Sequence, residues 1–270
     1  VVGYMLFNEH IATAESALID AIQLLQSAAI DDLVIDLRYN GGGFLAIASQ
    51  LAYMIAGQAR SSGRTFERLQ FNDKHRVRNP VTGELLQPIP FLNTTVIGVS
   101  LPTGTPLPTL NLDRVFLLTG ADTCSASESI INSLRGIDFP VIQIGSTTCG
   151  KPYGFYPTDN CNTTYFTIQF TNINDQNFDE FPDGFSPANT PNAPGVPVTG
   201  CAVADDFGRA LGDPTEARFA AALGWRNAPS CPAPSGMSLD SPAIRGLELP
   251  LPAAIAPAQP PWRQARVAGF

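Results

Sequence analysis

Short apolar runs that alternate with helical patterns constrain the fold of this chain more than any other feature. Their length and β-branched content are typical of buried strands, and the segments between them repeat apolar residues at helical spacing. We predict strands at residues 2–7, 33–37, 114–119 and 141–144. We predict helices over residues 12–29, over residues 44–56 and from Ser125 onward. Strands alternating with helices indicate a layered α/β core with a mainly parallel sheet.

The rest of the chain is less regular. We predict further strands at 64–71, 95–99 and 165–170, and a short helix over 213–223. From residue 228 to residue 270 the sequence is rich in proline and alanine and has no periodicity, which predicts an extended tail outside the folded domain.

Charge and hydropathy exclude two classes of partner. A net charge of -8 and a pI near 4.7 are unsuited to binding nucleic-acid phosphates. No apolar stretch reaches the roughly 18 residues of a membrane span. The chain begins at Val1 with neither an initiator methionine nor a signal segment, so we expect it to be a piece of a longer precursor.

Five cysteines lack the spacing of a zinc site or of a Cys-x-x-Cys redox pair, so no metal is implied. Cys149 and Cys161 flank a turn-rich segment, and Cys201 and Cys231 flank a predicted helix. We therefore expect two disulfides with Cys124 left over, which suits an oxidising compartment. The alternative is five reduced thiols in a cytoplasmic protein.

A hydroxyl and an amine are the candidate catalytic pair. Ser125 opens the motif Ser-Ala-Ser-Glu, and Lys151 follows in Cys-Gly-Lys. A serine needs a base to remove its proton during attack, and a neutral lysine can be that base once burial lowers its pKa from about 10.4 to about 7–8. The chain contains fourteen arginines but only two lysines, Lys74 and Lys151. Lys151 as an ordinary loop cation is the competing interpretation.

The same serine motif has a structural interpretation. Ser125 followed by Glu128 is a capping box, in which both side chains accept hydrogen bonds from the first turn of a helix. A nucleophile at a helix N-terminus would also be placed where negative charge is favoured. Thr123 and Ser127 compete with Ser125 for the role of nucleophile, and spacing does not choose among them.

The glycine run at residues 41–43 follows a predicted strand and suits a backbone that offers N–H groups to an oxyanion. Gly41-x-Gly43-x-x-Ala46 also fits a dinucleotide-binding fingerprint, for which Glu67 is the best available acidic partner. No motif places His10 or His75, so a Ser-His-Asp triad has no nominated histidine.

Taken together, the motifs Asp-Leu-Arg-Tyr-Asn-Gly-Gly-Gly at 36–43, Ser-Ala-Ser-Glu at 125–128 and Gly-Lys at 150–151 resemble the carboxyl-terminal processing peptidases, also called tail-specific proteases. The resemblance covers roughly residues 1 to 225. It implies a crotonase-like and Clp-protease-like α/β fold, and a serine endopeptidase that cuts near protein C-termini through an acyl-enzyme, without a cofactor.

Through the matching motifs, the resemblance implies that Ser125 is the nucleophile, Lys151 the base and Glu128 the residue that orients the lysine. The oxyanion would be held by the backbone N–H groups of Gly43 and Ala126. Gly42 and Tyr153 are the candidate substrate contacts. Cysteines at 124 and 149 depart from the family pattern.

The resemblance also implies a catalytic domain over 1–227 and a bacterial location in the periplasm, on a lipoprotein anchor or outside the cell. It implies protein or peptide substrates with apolar C-termini. The PDZ module that usually captures such substrates is not found in this chain, and we expect it upstream. The rival function is a noncatalytic module, because retinoid-binding repeats resemble the same fold and hold apolar ligands.

Overall fold

The computed structural model describes residues 1–233, and the sheet at its centre is parallel. The helices are α1 (Ala14–Ser27), α2 (Leu45–Ala56), α3 (Gln58–Ser61), α4 (Ala126–Gly136) and α5 (Ala217–Asn227). The strands are β1 (Val2–Leu6), β2 (Asp32–Asp36), β3 (Thr65–Gln70), β4 (Ile89–Pro90), β5 (Val115–Thr119), β6 (Val141–Gly145), β7 (Tyr153–Gly154), β8 (Thr158–Asn160), β9 (Thr163–Tyr165), β10 (Phe170–Ile173), β11 (Phe185–Pro187), β12 (Val196–Val198) and β13 (Gly200–Ala202).

The central sheet has the order β1-β2-β5-β6-β13 with every pair parallel. Alternate residues of a strand point to opposite faces. Leu33 and Ile35 of β2 accordingly pack into the larger core with helices α1, α2 and α4, whereas Val34 packs into the smaller core with Phe219 of α5. Both faces are covered, which explains why these strands read as continuous apolar runs. The predicted α/β core with a mainly parallel sheet is confirmed.

A second, antiparallel sheet has the order β4-β3-β10-β7 and packs beside α4. The prediction of a strand at 95–99 is wrong. Thr95 bonds through its backbone N–H and C=O to Thr105 and Gly104, which closes a local loop instead of a ladder. The predicted strand at 165–170 is also wrong as one element, because β9 ends at Tyr165 and β10 begins at Phe170.

The C-terminal part of the described chain ends in helix α5, whose start differs from the prediction. Helix α5 starts at Ala217, four residues later than predicted, and its first turn is capped by the Glu216 carboxylate, which accepts from the Phe219 N–H. The predicted tail lies outside the described residues from position 234 onward. Among residues 1–233, no helix combines the length and apolar character needed to cross a bilayer.

The cysteine pairing corrects the sequence prediction. Cys149 is bonded to Cys124, with the two Cα atoms 5.2 Å apart, and not to Cys161. Cys161 is the exposed, unbonded thiol of residues 1–233. The prediction failed because Cys161 lies at the β8–β9 turn, whereas the loop that follows β6 folds back onto the turn that precedes α4. Cys201 is bonded to Cys231.

A buried carboxyl on β3 makes stability depend on pH. Burial raises the pKa of Glu67 to about 8, against a small opposing effect of the Ser129 hydroxyl. Between the ordinary pKa of a glutamic acid and about pH 8, the unfolded chain has lost this proton while the folded chain keeps it. The free energy of unfolding is therefore highest below the pKa that Glu67 has in the unfolded chain, and it falls as the pH rises from that value to about 8.

Glu67→Gln removes this titration. We expect the unfolding free energy of the variant, relative to that of the parent chain, to be about 3 kcal/mol more favourable at pH 8 than at pH 5. Chemical denaturation at several pH values measures this difference. The exposed Glu84→Gln is the matched control. Parallel pH dependences of Glu67→Gln and the parent chain would contradict the assignment.

Candidate active site

Three neighbouring strands bring the candidate catalytic residues to one edge of the sheet. Strands β2, β5 and β6 are adjacent and parallel, so their carboxyl ends lie side by side. The glycine turn follows β2, Ser125 follows β5, and Lys151 follows β6. Crevices at the carboxyl ends of parallel strands are the usual place for binding sites in such sheets.

Ser125 occupies a strained turn between β5 and α4. Its φ of 59° and ψ of -116° lie in a region that costs a non-glycine residue about 1–3 kcal/mol. Ser125 is also 1% exposed. A strained strand-to-helix turn that presents a serine is a recurring support for nucleophiles.

The other two hydroxyls of this turn are engaged in structural hydrogen bonds. Thr123 Oγ1 donates to the carbonyl of Leu37 at 2.7 Å and accepts from the Gly120 N–H. Ser127 Oγ donates to the carbonyl of Asn40 at 3.0 Å. These bonds fix the turn against the end of β2.

Glu128 joins the serine turn to the lysine loop. Its Oε2 accepts from the backbone N–H of Ser125 at 2.9 Å and from that of Lys151 at 2.8 Å. Its Oε1 accepts from the Gly150 N–H at 2.8 Å and from Thr148 Oγ1 at 2.6 Å. Burial raises the pKa of the Glu128 carboxyl, and these donors oppose the rise. Ser125 and Glu128 do form the capping box, but the carboxylate also holds the main chain around Lys151.

Lys151 lies in a partly apolar environment. Its Nζ is 5.5 Å from the ring centroid of Phe155, a fully buried side chain. Burial lowers the pKa of Lys151 to about 8, and the charge of Glu128 opposes this. At pH 7 an amine with that pKa is neutral in about a tenth of the molecules. Such an amine can accept a proton near neutral pH.

The glycine turn packs directly against the serine turn. A Cβ on Gly42 would lie 2.9 Å from the backbone nitrogen of Ala126 and 2.9 Å from Cβ of Ser125, so no side chain fits there. Gly43 has a φ of +143°, and a Cβ there would collide with the His10 carbonyl. The N–H groups of Gly43 and Ala126 are not used in the hydrogen bonds that hold these turns within residues 1–233.

Asn40 organises the glycine turn, and sequence reasoning assigned it no role of its own. Its Oδ1 faces the Gly42 N–H and His10 Nδ1, each at 3.0 Å, and its Nδ2 donates to the Phe7 carbonyl. Its own carbonyl accepts from the Cys124 N–H at 3.0 Å. Asn40 therefore connects the end of β1, the glycine turn and the serine turn. Burial lowers the pKa of His10 to about 3, so its ring is neutral and donates from Nδ1.

We expect His10→Phe to lower kcat by about 10- to 100-fold with little change in KM, because the phenyl ring cannot donate to Asn40, whose Oδ1 holds the Gly42 N–H of the glycine turn. His10→Gln keeps a donor and should recover part of the loss. Steady-state kinetics on a polypeptide substrate, with thermal unfolding alongside, measures this. Equal kcat in His10→Phe and the parent chain would contradict the role.

A buried ion cluster anchors the other end of the same turn. Arg38 is 1% exposed and forms two 3.0 Å bonds to the Glu216 carboxylate. It also pairs with Asp36 at 2.9 Å and with Asp205 at 2.5 Å. Buried charges are tolerated when they are paired in this way. Asp36 and Arg38, which precede the glycine turn, are thus fixed to Glu216 at the start of α5.

The remaining sequence candidates lie around this centre. Tyr153 is 38% exposed on β7, two residues after Lys151, and His75 lies in the loop between β3 and β4. The sulfur atoms of Cys124 and Cys149 lie within 4.8 Å of the Glu128 carboxylate, a spacing suited to metal ligands. They are bonded to each other, so they are not thiolate ligands.

Comparison with known proteins assigns the family. A model of peptidase family S41 matches residues 1–156. The chain therefore belongs to peptidase family S41, which supports a peptidase role. No curated protein matches it.

The fold is shared with a solved structure. A candidate S41 protease of Bacteroides fragilis superposes with a TM-score of 0.66 at 22% identity, over 85% of this chain and 55% of that one. The photosystem II D1 C-terminal processing protease superposes with a TM-score of 0.48 at 18% identity, over 71% of this chain and 42% of that one. The chain thus spans about half the length of these proteins.

Proposed function

We propose that this protein is a serine endopeptidase in which Ser125 is the nucleophile and Lys151 the general base. The observation that carries the proposal is the Glu128 carboxylate, which binds the backbone N–H groups of both residues. The lowered pKa of Lys151 supports it.

In the first step, Ser125 Oγ attacks the carbonyl carbon of the scissile bond and its proton passes to Lys151 Nζ. The N–H groups of Gly43 and Ala126 hold the oxyanion of the tetrahedral intermediate. Lys151 then gives the proton to the leaving amine, and an acyl-enzyme remains on Ser125. A water molecule, deprotonated by the same amine, releases the acyl group by the reverse sequence.

Glu128 acts through the backbone. The motif resemblance assigned it the task of orienting the lysine, and its bonds suggest that it does so by holding the main chain of residues 150 and 151. Because the same carboxylate holds the N–H of Ser125, one group would set the position of nucleophile and base together.

The proposal extends to substrate and location. Four parts of it rest on the motif resemblance. They are a catalytic domain over residues 1–227, cleavage near apolar C-termini, substrate contacts from Gly42 and Tyr153, and an upstream PDZ module. A bacterial envelope or secreted location is supported by the disulfides Cys124–Cys149 and Cys201–Cys231, which persist in oxidising compartments.

The test is digestion of an unstructured polypeptide that ends in apolar residues, beside a matched polypeptide that ends in acidic residues. Mass spectrometry identifies the new termini. We expect cleavage of both polypeptides, faster for the apolar one and close to its C-terminus. Saturable binding without new termini would favour the noncatalytic module, and equal cleavage by Ser125→Ala would assign the activity to another group or to a contaminant.

A further inference from the structure

A disulfide joins the two loops that carry the proposed nucleophile and base. Cys124 immediately precedes Ser125, and Cys149 lies two residues before Lys151. Cys124 is 4% exposed, whereas Cys149 reaches the surface. The bond is therefore part of the site on one side and open to solvent on the other.

The loop that carries Lys151 has no regular secondary structure of its own from residue 148 to residue 152. Hydrogen bonds connect it to the serine turn: the Cys149 N–H donates to the Thr123 carbonyl at 3.0 Å, and the Glu128 carboxylate accepts from Thr148 Oγ1 and from the N–H groups of Gly150 and Lys151. On its other side the loop lies against residues 182–185, where a Cβ on Gly150 would collide with the Pro182 carbonyl. The disulfide is the covalent link between the two turns.

The position of this loop also determines the environment of the lysine. Lys151 has a lowered pKa because its amine is buried beside Phe155. A loop released from the serine turn would let water reach the amine, which would then hold its proton at neutral pH.

Resting on the peptidase function proposed above, we propose that the Cys124–Cys149 disulfide positions Ser125 against Lys151, so that hydrolysis requires the oxidised pair and a dithiol reductant switches it off. A reductant thiolate attacks Sγ of Cys149, the more exposed residue of the pair, and Cys124 leaves as a thiolate that takes up a proton. The second thiol of the reductant then displaces Cys149. The dithiol supplies two electrons and ends as its own disulfide.

The chain provides a matched control for this proposal. Cys201–Cys231 has nearly the same sequence separation, 30 residues against 25, but it belongs to the core beneath α5. A general effect of losing a disulfide would appear at both bonds, and a positioning effect only at Cys124–Cys149.

The experiment uses the full chain carrying Cys161→Ser, which removes the exposed thiol, and compares it with the added pairs Cys124→Ala/Cys149→Ala and Cys201→Ala/Cys231→Ala. Each protein is assayed oxidised, reduced by dithiothreitol and reoxidised, and thiols are counted by alkylation and intact mass. We expect reduction to lower kcat/KM at least tenfold, reversibly, in the parent and in the Cys201/Cys231 variant. The Cys124/Cys149 variant should be as slow in both states as the reduced parent.

Equal kcat/KM in the oxidised and fully reduced parent would overturn the proposal, even if the Cys124/Cys149 variant fails to fold. A fall in activity on reduction that disappears in the Cys201/Cys231 variant would overturn it as well, because the wrong bond would be responsible.

A second measurement is independent of turnover. Amine acylation of Lys151 as a function of pH should report a pKa of about 8 in the oxidised protein and a higher value after reduction. If the oxidised parent cleaves no polypeptide, the proposed function fails, and this titration decides the positioning role alone. An unchanged titration on reduction would overturn it.

Discussion

Ser125→Ala is expected to lower kcat/KM for an unstructured polypeptide by about 10⁴-fold or more. Removal of a nucleophile that acts through an acyl intermediate leaves only binding and oxyanion stabilisation, and losses of this size are typical of serine peptidases. Alanine also removes the bond that the Ser125 side chain accepts in the capping box, at a cost of about 1 kcal/mol in unfolding free energy, which leaves the fold intact. Initial rates with thermal unfolding alongside measure the effect.

Ser133→Ala is the matched control for this prediction. Ser133 lies on the same helix, α4, is fully buried, and has an Oγ without a hydrogen-bond partner among residues 1–233. We expect its kcat/KM to stay within about twofold of the parent value. If Ser125→Ala retains a tenth or more of the parent activity, Ser125 is not the nucleophile.

Lys151→Arg should lower kcat/KM by about 10³-fold or more. An arginine keeps the charge but cannot become neutral near physiological pH, so it cannot take the proton of Ser125. In the parent protein, the pKa of about 8 predicts that kcat/KM rises about tenfold per pH unit below pH 8 and levels off above it. Kinetics between pH 6 and pH 9.5 measures both effects.

The control for the base is Lys74→Arg. Lys74 is exposed and is the other lysine of the chain, so the same substitution there should leave the rate and its pH dependence unchanged. A flat pH profile of the parent across pH 8, or substantial activity in Lys151→Arg, would exclude an amine base.

Sequence periodicity was sufficient for strands β2, β5 and β6 of the central sheet because they are buried on both faces, but it missed β13, a strand of three residues. The runs around Leu33 and Val115 are continuous, apolar and β-branched, and each pairs where the alternation of strands and helices predicts. Periodicity failed where the same residue types serve a loop. Thr95 is fully buried, yet its backbone bonds close a turn with Thr105.

The candidate site was predictable as far as local motifs reach. The motifs nominated Ser125, Glu128 and Lys151, and the structure brings the backbone N–H groups of Ser125 and Lys151 to the Glu128 carboxylate. The role of His10 depends on a side-chain bond to Asn40, thirty positions away, and no spacing rule predicts such a contact. The Cys124–Cys149 pairing depends on the return of the β6 loop, which is equally a property of the folded chain.

A crystal structure of the full chain with a peptide aldehyde bound would show whether Ser125 and Lys151 act together on a substrate carbonyl. We predict a covalent bond from Ser125 Oγ to the aldehyde carbon, with the resulting oxygen about 2.7–3.1 Å from the backbone nitrogens of Gly43 and Ala126. Lys151 Nζ should lie within about 3.2 Å of Oγ. An adduct on another residue, or a Lys151 amine turned away from Ser125 in that complex, would contradict the account.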